Sequence, residues 1–92
     1  MSEKTAIFDV ADYLDSEEMI QEYFRQVVAD GDSNEIIEAL GEIARARGMM
    51  KLAKETGLSR ESLYRTLRPG AKPRFDTIFR ITKALGLPMF AS

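Results

Sequence analysis

The stretch Leu58 to Leu67 reads LSRESLYRTL and gathers side chains suited to reading the edges of nucleic-acid bases. An arginine such as Arg60 or Arg65 can pair bidentately with guanine O6 and N7. A glutamate such as Glu61 accepts from cytosine N4, and a serine such as Ser62 bonds either way. Ser59 and Tyr64 carry hydroxyls that can reach a phosphate. Arg68, Lys72 and Arg74 follow in the basic run RPGAKPR, and Lys51 precedes in KLAKET, all of them phosphate-seeking cations.

Such side chains need elements that turn them outward together. Leu52, Leu58, Leu63 and Leu67 are spaced to face inward from two short helices, one around MMKLAKET and one around SRESLYRTL. Ala53 is small enough for a close crossing. Gly57 can take the positive φ that ends the first helix, Leu58 plugs the corner, and Ser59 is a strong N-cap for the second. Two helices joined by a short glycine-containing turn form the helix-turn-helix pattern, whose second helix enters the major groove by its N-terminal residues.

The rest of the chain reads as helices as well. Asp15 and Glu18, three apart, predict a capping box that opens a helix with an apolar stripe of Met19, Ile20, Tyr23, Phe24, Val27 and Val28. That stripe fits a core better than a docking surface. Asp32 and Glu35 open a second helix burying Ile36, Ile37, Leu40, Ile43 and Ala44, with Gly48 expected as a left-handed stop. Its charges, acidic early and basic at Arg45 and Arg47, suit the helix dipole and call for no other explanation. FDTIFRITKAL forms the last helix, closed by Gly86 and Pro88. The segment AIFDVADYL has no clear period and is read as an extended arm. The expectation is an all-α fold: a five-helix single domain with a repressor-like helix-turn-helix, preceded by a short extended N-terminal arm. Within it, residues 1–31 form an acidic arm and helix, and residues 32–92 the helix-turn-helix region.

Charge divides along the same line. The net charge is -2 and the pI about 5.1. Yet residues 1–44 hold twelve acidic and two basic side chains, a net -10, whereas residues 45–92 hold eleven basic and three acidic, a net +8. Asymmetry of this kind suits nucleic-acid contact by the basic part and another partner for the acidic part; mutual neutralisation within one domain is the plainer reading. An acidic protein can therefore hold DNA if its basic half alone faces it.

Several classes are excluded by what the composition lacks. Without cysteine or histidine there is no disulfide framework, no thiolate or imidazole metal shell and no usual nucleophile and base pair, so neither an enzyme nor a cofactor is expected. A carboxylate pair would be the remaining catalytic option. No apolar run approaches the ~20 residues that span a bilayer, and the start has no secretory pattern, which leaves the cytoplasm as the expected compartment. At 92 residues the chain can build one modest core.

From Gly48 to Leu87 these motifs resemble the phage-repressor and Cro-like (Xre) helix-turn-helix domain. FDVADYLDSEEMIQEYF, DGDSNEIIEALGEIARARGM and LAKETGLSRESLYRTL together resemble the addiction-module antidote proteins, a HigA-like antitoxin group, over about residues 7–90. The resemblance implies a dimeric repressor of its own promoter that neutralises a small mRNA-cleaving toxin of the HigB/RelE-like kind. It puts the recognition residues on Arg60, Glu61, Ser62 and Arg65 and the loop contacts on Lys72 and Arg74. One departure stands out. Repressor domains often have a phosphate-clamping Gln where this chain has Met49, and Lys51 is the candidate substitute.

An RNA-binding toxin carries a basic surface, which an acidic segment can pair with and shield from RNA. The expected toxin contacts are accordingly Phe8, Asp9, Asp12, Tyr13, Asp15, Glu17 and Glu18. A homodimer is expected because one short recognition helix reads few base pairs, and Met89 and Phe90 offer apolar groups either to that interface or to their own core. Two other functions fit the same residues: a prophage-type regulator without a toxin, and a protein-interaction module whose helix-turn-helix has lost DNA.

Overall fold

The computed structural model describes residues 16–87, and these form five helices and no strand. They are α1 (Glu17–Asp30), α2 (Ser33–Arg47), α3 (Met49–Thr56), α4 (Arg60–Leu67) and α5 (Phe75–Leu85). The expected arm, residues 1–14, lies outside the described residues, as do Asp15, Pro88, Met89 and Phe90.

Local chemistry sets the boundaries. The N-cap of α1 is Ser16, not Asp15: its backbone is extended, and its hydroxyl accepts from the Met19 N–H at 3.2 Å. Both residue types cap well, and the Glu18 three beyond Asp15 drew the expectation one residue too early. Asp32 caps α2 as expected, accepting from the Asn34 N–H at 2.9 Å. Gly48 departs from the expected left-handed stop. At φ +108° and ψ 117° it lies outside the left-handed helical region, although its positive φ still favours glycine, and it leads at once into α3.

Helix α2 is the centre of the fold and packs against each of the other four. Ile37, Leu40, Ile43 and Ala44 from α2 meet Ile20 and Phe24 of α1, Leu52 of α3, Leu63 and Leu67 of α4, and Ile78, Ile81 and Leu85 of α5 in one core. The stripe on α1 is thus core: Ile20 and Phe24 are buried, and Tyr23, Val27 and Val28 pack partly buried beside them. Burial of each large side chain stabilises the fold by about 1.5–3 kcal/mol, so two such anchors hold α1 firmly to the basic half.

Mid-helix Gly41 has a tertiary reason. A Cβ built there would stand 3.3 Å from the Leu67 carbonyl, so the residue lets the end of α4 lie against the backbone of α2. No helix among the described residues is long and apolar enough to cross a membrane.

Candidate nucleic-acid interface

The turn between α3 and α4 is held by more than its glycine. Gly57 takes φ +79° and ψ 7°, and its N–H donates to the Ala53 carbonyl at 2.9 Å. Thr56, which sequence reasoning overlooked, is buried. Its hydroxyl donates to the Leu52 carbonyl at 2.8 Å and accepts from the Leu58 N–H at 3.2 Å. Leu58 packs partly buried in the corner, as expected. Arg80 of α5 donates to the Thr56 carbonyl at 3.5 Å, which ties the end of α3 to the last helix.

Beyond that turn, Ser59 caps α4 through a 3.0 Å bond from the Ser62 N–H. With Leu63 and Leu67 anchored in the core, Arg60, Glu61, Tyr64, Arg65 and Arg68 are turned outward at i, i+1, i+4, i+5 and i+8, a single exposed face; Ser62 is half-buried beside it. Glu61 makes no capping bond, so its carboxylate stays available on that face. Arg60 holds its guanidinium carbon 5.9 Å from the centre of the Tyr64 ring.

The cations of the described residues fall into two groups. Arg25, Arg45, Arg47 and Arg80 each meet a carboxylate: Glu22, Glu42, Glu17 and Asp76 respectively. Lys51, Lys54, Arg60, Arg65, Arg68, Lys72, Arg74 and Lys83 are exposed and pair with no carboxylate among the described residues. Most of the second group lies on α3, α4 and the loop between α4 and α5. A shallow cleft of about 370 Å³ lies between the start of α3 and α4, lined by Arg45, Gly48, Met49, Met50, Arg60 and Tyr64. A second, of about 290 Å³, lies beyond α4 and is lined by Arg65, Thr66, Arg68, Ala71, Lys72 and Pro73. Unpaired Arg68 and Lys72 thus rim the cleft beyond α4, whereas the cleft toward α3 holds Arg60 and the paired Arg45.

Met49 packs against the core, so this position presents no polar clamp, while Met50 beside it is 71% exposed and Lys51 is exposed too. Of the acidic candidates, Phe8, Asp9, Asp12, Tyr13 and Asp15 lie outside the described residues. Glu17 is drawn into a 2.6 Å ion pair with Arg47, and Glu18 is exposed. The acidic face continues on α2, where Glu38 and Glu42 stand near Tyr23; burial, then the charges of Glu42 and Glu38, push the Tyr23 phenol above its ordinary range. No group of carboxylates among the described residues is arranged to hold a metal ion.

Comparison with known proteins matches residues 4–92 to the family described as "probable addiction module antidote protein". The chain belongs to the addiction-module antidote family. An uncharacterized protein of Haemophilus influenzae (strain ATCC 51907 / DSM 11121 / KW20 / Rd) is 44% identical over 87 residues, which covers 95% of this chain and 90% of that protein. No solved structure matches. An antidote has a toxin as its counterpart, so the family accounts for a partner that the helices alone do not reveal. The match takes in both the acidic segment and α3 with α4, and so nearly all of the charge division along the chain.

Proposed function

We propose that this antidote is a DNA-binding antitoxin of the HigA-like kind with an Xre-type helix-turn-helix. It represses its own operon as a homodimer in the cytoplasm and neutralises a small, basic, mRNA-cleaving toxin of the HigB/RelE-like class. The observation that carries the DNA reading is the division of the cations. Three arginines of the basic half are tied to carboxylates, whereas those on the outward face of α4 and in its flanking loop are exposed and unpaired. Unneutralised cations on and beside an exposed helix face are what a phosphate backbone requires.

In this reading Arg60, Glu61, Ser62 and Arg65 face base edges. Lys51, Ser59, Tyr64, Arg68, Lys72 and Arg74 face phosphates, with Lys51 in place of the clamp that Met49 cannot supply. Two copies on a two-fold operator set their recognition helices about 34–36 Å apart. The acidic arm, with Phe8, Asp9, Asp12, Tyr13, Asp15, Glu17 and Glu18, meets the toxin. The protein acts by binding and does no chemistry of its own.

Titration of the purified protein against its own promoter DNA and a scrambled duplex, at two salt concentrations, tests the DNA reading. Tight, salt-sensitive binding that prefers the promoter supports it. Absence of preference would leave the helix-turn-helix as scaffold for a protein-interaction module. For the toxin half, deletion of residues 1–14 should abolish neutralisation in a growth assay, and full neutralisation by the truncated protein would overturn the arm's role.

A further inference from the structure

The contact between Arg60 and Tyr64 assigns the tyrosine a part different from a simple phosphate contact. Arg60 opens α4, and Tyr64 stands four residues on, one turn above it on the same face. The guanidinium carbon lies 5.9 Å from the ring centre, within the range in which a cation is attracted to an aromatic face. Among the described residues no carboxylate is paired with Arg60, its neighbour Glu61 included. The ring is 47% exposed and lines both the cleft shared with Met49 and Met50 and a neighbouring one shared with Gly41, Leu67 and Arg68.

We infer that the Tyr64 ring is a platform that pre-orients the Arg60 guanidinium for base reading, so that Tyr64 is a positioning residue for specificity. The inference rests on the proposed DNA reading. A free arginine loses rotamer freedom when it is fixed for a bidentate contact. A stacked one has given up part of that freedom before DNA arrives, so the platform raises discrimination at the base Arg60 reads and has little influence elsewhere. The ring provides this, and the hydroxyl is dispensable for it.

The test uses the full chain and its own promoter duplex, with single-base changes across the bound site, for Tyr64→Phe, Tyr64→Ala, Arg60→Ala and the Arg60→Ala/Tyr64→Ala double variant. Tyr64→Phe loses only the hydroxyl's phosphate contact, so it should weaken every duplex by about the same factor and leave the preference at the base Arg60 reads as in wild type. Tyr64→Ala should lose about two- to five-fold in promoter affinity, concentrated at the base whose preference Arg60→Ala erases. The double variant should bind no more weakly than Arg60→Ala alone. Additive losses, or a Tyr64→Phe variant as weak as Tyr64→Ala, would overturn the platform and leave a hydroxyl-to-phosphate contact. Proton NMR of the free protein supplies a readout without DNA: a ring-current shift on the Arg60 side chain present in wild type and Tyr64→Phe and absent in Tyr64→Ala. If wild type lacks the shift, the platform is wrong whatever the DNA result. If the shift is present but wild type shows no promoter preference, the DNA reading has failed and the specificity role falls with it.

Discussion

Arg47 and Glu17 meet at 2.6 Å across thirty positions of sequence, and the same guanidinium donates to the Leu85 carbonyl at 3.3 Å. One side chain thus joins the end of α2 to the start of α1 and the end of α5. The two partners are unequal: the Arg47 side chain is 24% exposed and that of Glu17 is 65% exposed. Water screens most of the attraction at the glutamate, so Glu17→Gln should cost about 0.5 kcal/mol or less. Arg47→Ala loses the carbonyl bond and the packing of its stem as well, about 1–2 kcal/mol. Urea denaturation of both variants checks the order. Equal losses would mean that the ion pair carries the whole contribution of Arg47 and that the carbonyl bond and stem add nothing.

Thr56 supplies a sharper case because its hydroxyl serves two backbone groups in the turn before α4. Thr56→Val keeps the volume but leaves the Leu58 N–H without its partner. The bond to this half-buried donor contributes about 0.5–1.5 kcal/mol, so the stability obtained from thermal unfolding should fall by that amount. Loosening should be greatest where α3 meets α4, read as faster amide exchange at Leu58 and Ser59. Unchanged exchange there would refute the role given to the hydroxyl.

Gly41 offers a prediction of opposite character, in which adding atoms is the fault. Its missing Cβ leaves room for the Leu67 carbonyl, which would lie only 3.3 Å away. Alanine would recover about 1 kcal/mol of helix propensity while pressing on that carbonyl, two effects of opposite sign. Valine adds two methyl groups and a poorer helix former, so Gly41→Val should destabilise by about 1–3 kcal/mol and displace the end of α4. Denaturant melts measure the first effect, and weakened promoter binding the second. A fully stable Gly41→Val protein would show that α2 and α4 can separate freely.

These three residues mark where sequence reading stops. The helices were legible because their signals are local: Asp32 and Ser59 cap, Gly57 turns, and Ile20 with Phe24 or Leu63 with Leu67 recur on one side. The outward face of α4 was legible for the same reason, as the complement of its buried leucines. Arg47, Gly41 and the Arg80 contact to Thr56 depend on partners far away in sequence, and no periodicity reports them. The basic half looked uniform as a count of charges. Only the fold separates Arg45, Arg47 and Arg80, which have carboxylate partners, from Arg60, Arg65 and Arg68, which have none.

Tyr23 makes the fold sensitive to alkali. Burial first, then Glu42 and Glu38, raise its phenol above the value it has in the unfolded chain. The folded state therefore retains the phenolic proton more strongly than the unfolded state does. That contribution to stability is complete below about pH 10, the unfolded value, and is lost as pH rises through the higher folded one. Tyr23→Phe should flatten this alkaline loss, and Glu42→Gln should lower the pH at which Tyr23 ionises. Tyrosinate absorbance and denaturant melts across that range check both. An identical alkaline profile for wild type and Tyr23→Phe would remove Tyr23 as the cause.

The two kinds of DNA contact proposed for α4 and its loop predict two kinds of failure. Arg65 lies on the outward face of α4, and Arg65→Ala, like Arg60→Ala, should cost about 1–3 kcal/mol on the promoter and little on scrambled DNA, because a base contact is lost only where the right base was present. Lys72 lies in the loop beyond α4, exposed and without an ion pair. Lys72→Ala should weaken promoter and scrambled duplex by nearly the same factor and reduce the dependence of affinity on salt, since one fewer phosphate is neutralised and fewer counterions are released on binding. Arg45→Ala is the internal control: its charge is already matched by Glu42 at 3.2 Å, so the loss should be smaller than that of Lys72→Ala on either duplex. Equal losses on both duplexes for Arg60→Ala and Arg65→Ala would mean that α4 contributes charge without reading sequence, and specificity would have to be sought elsewhere on the protein.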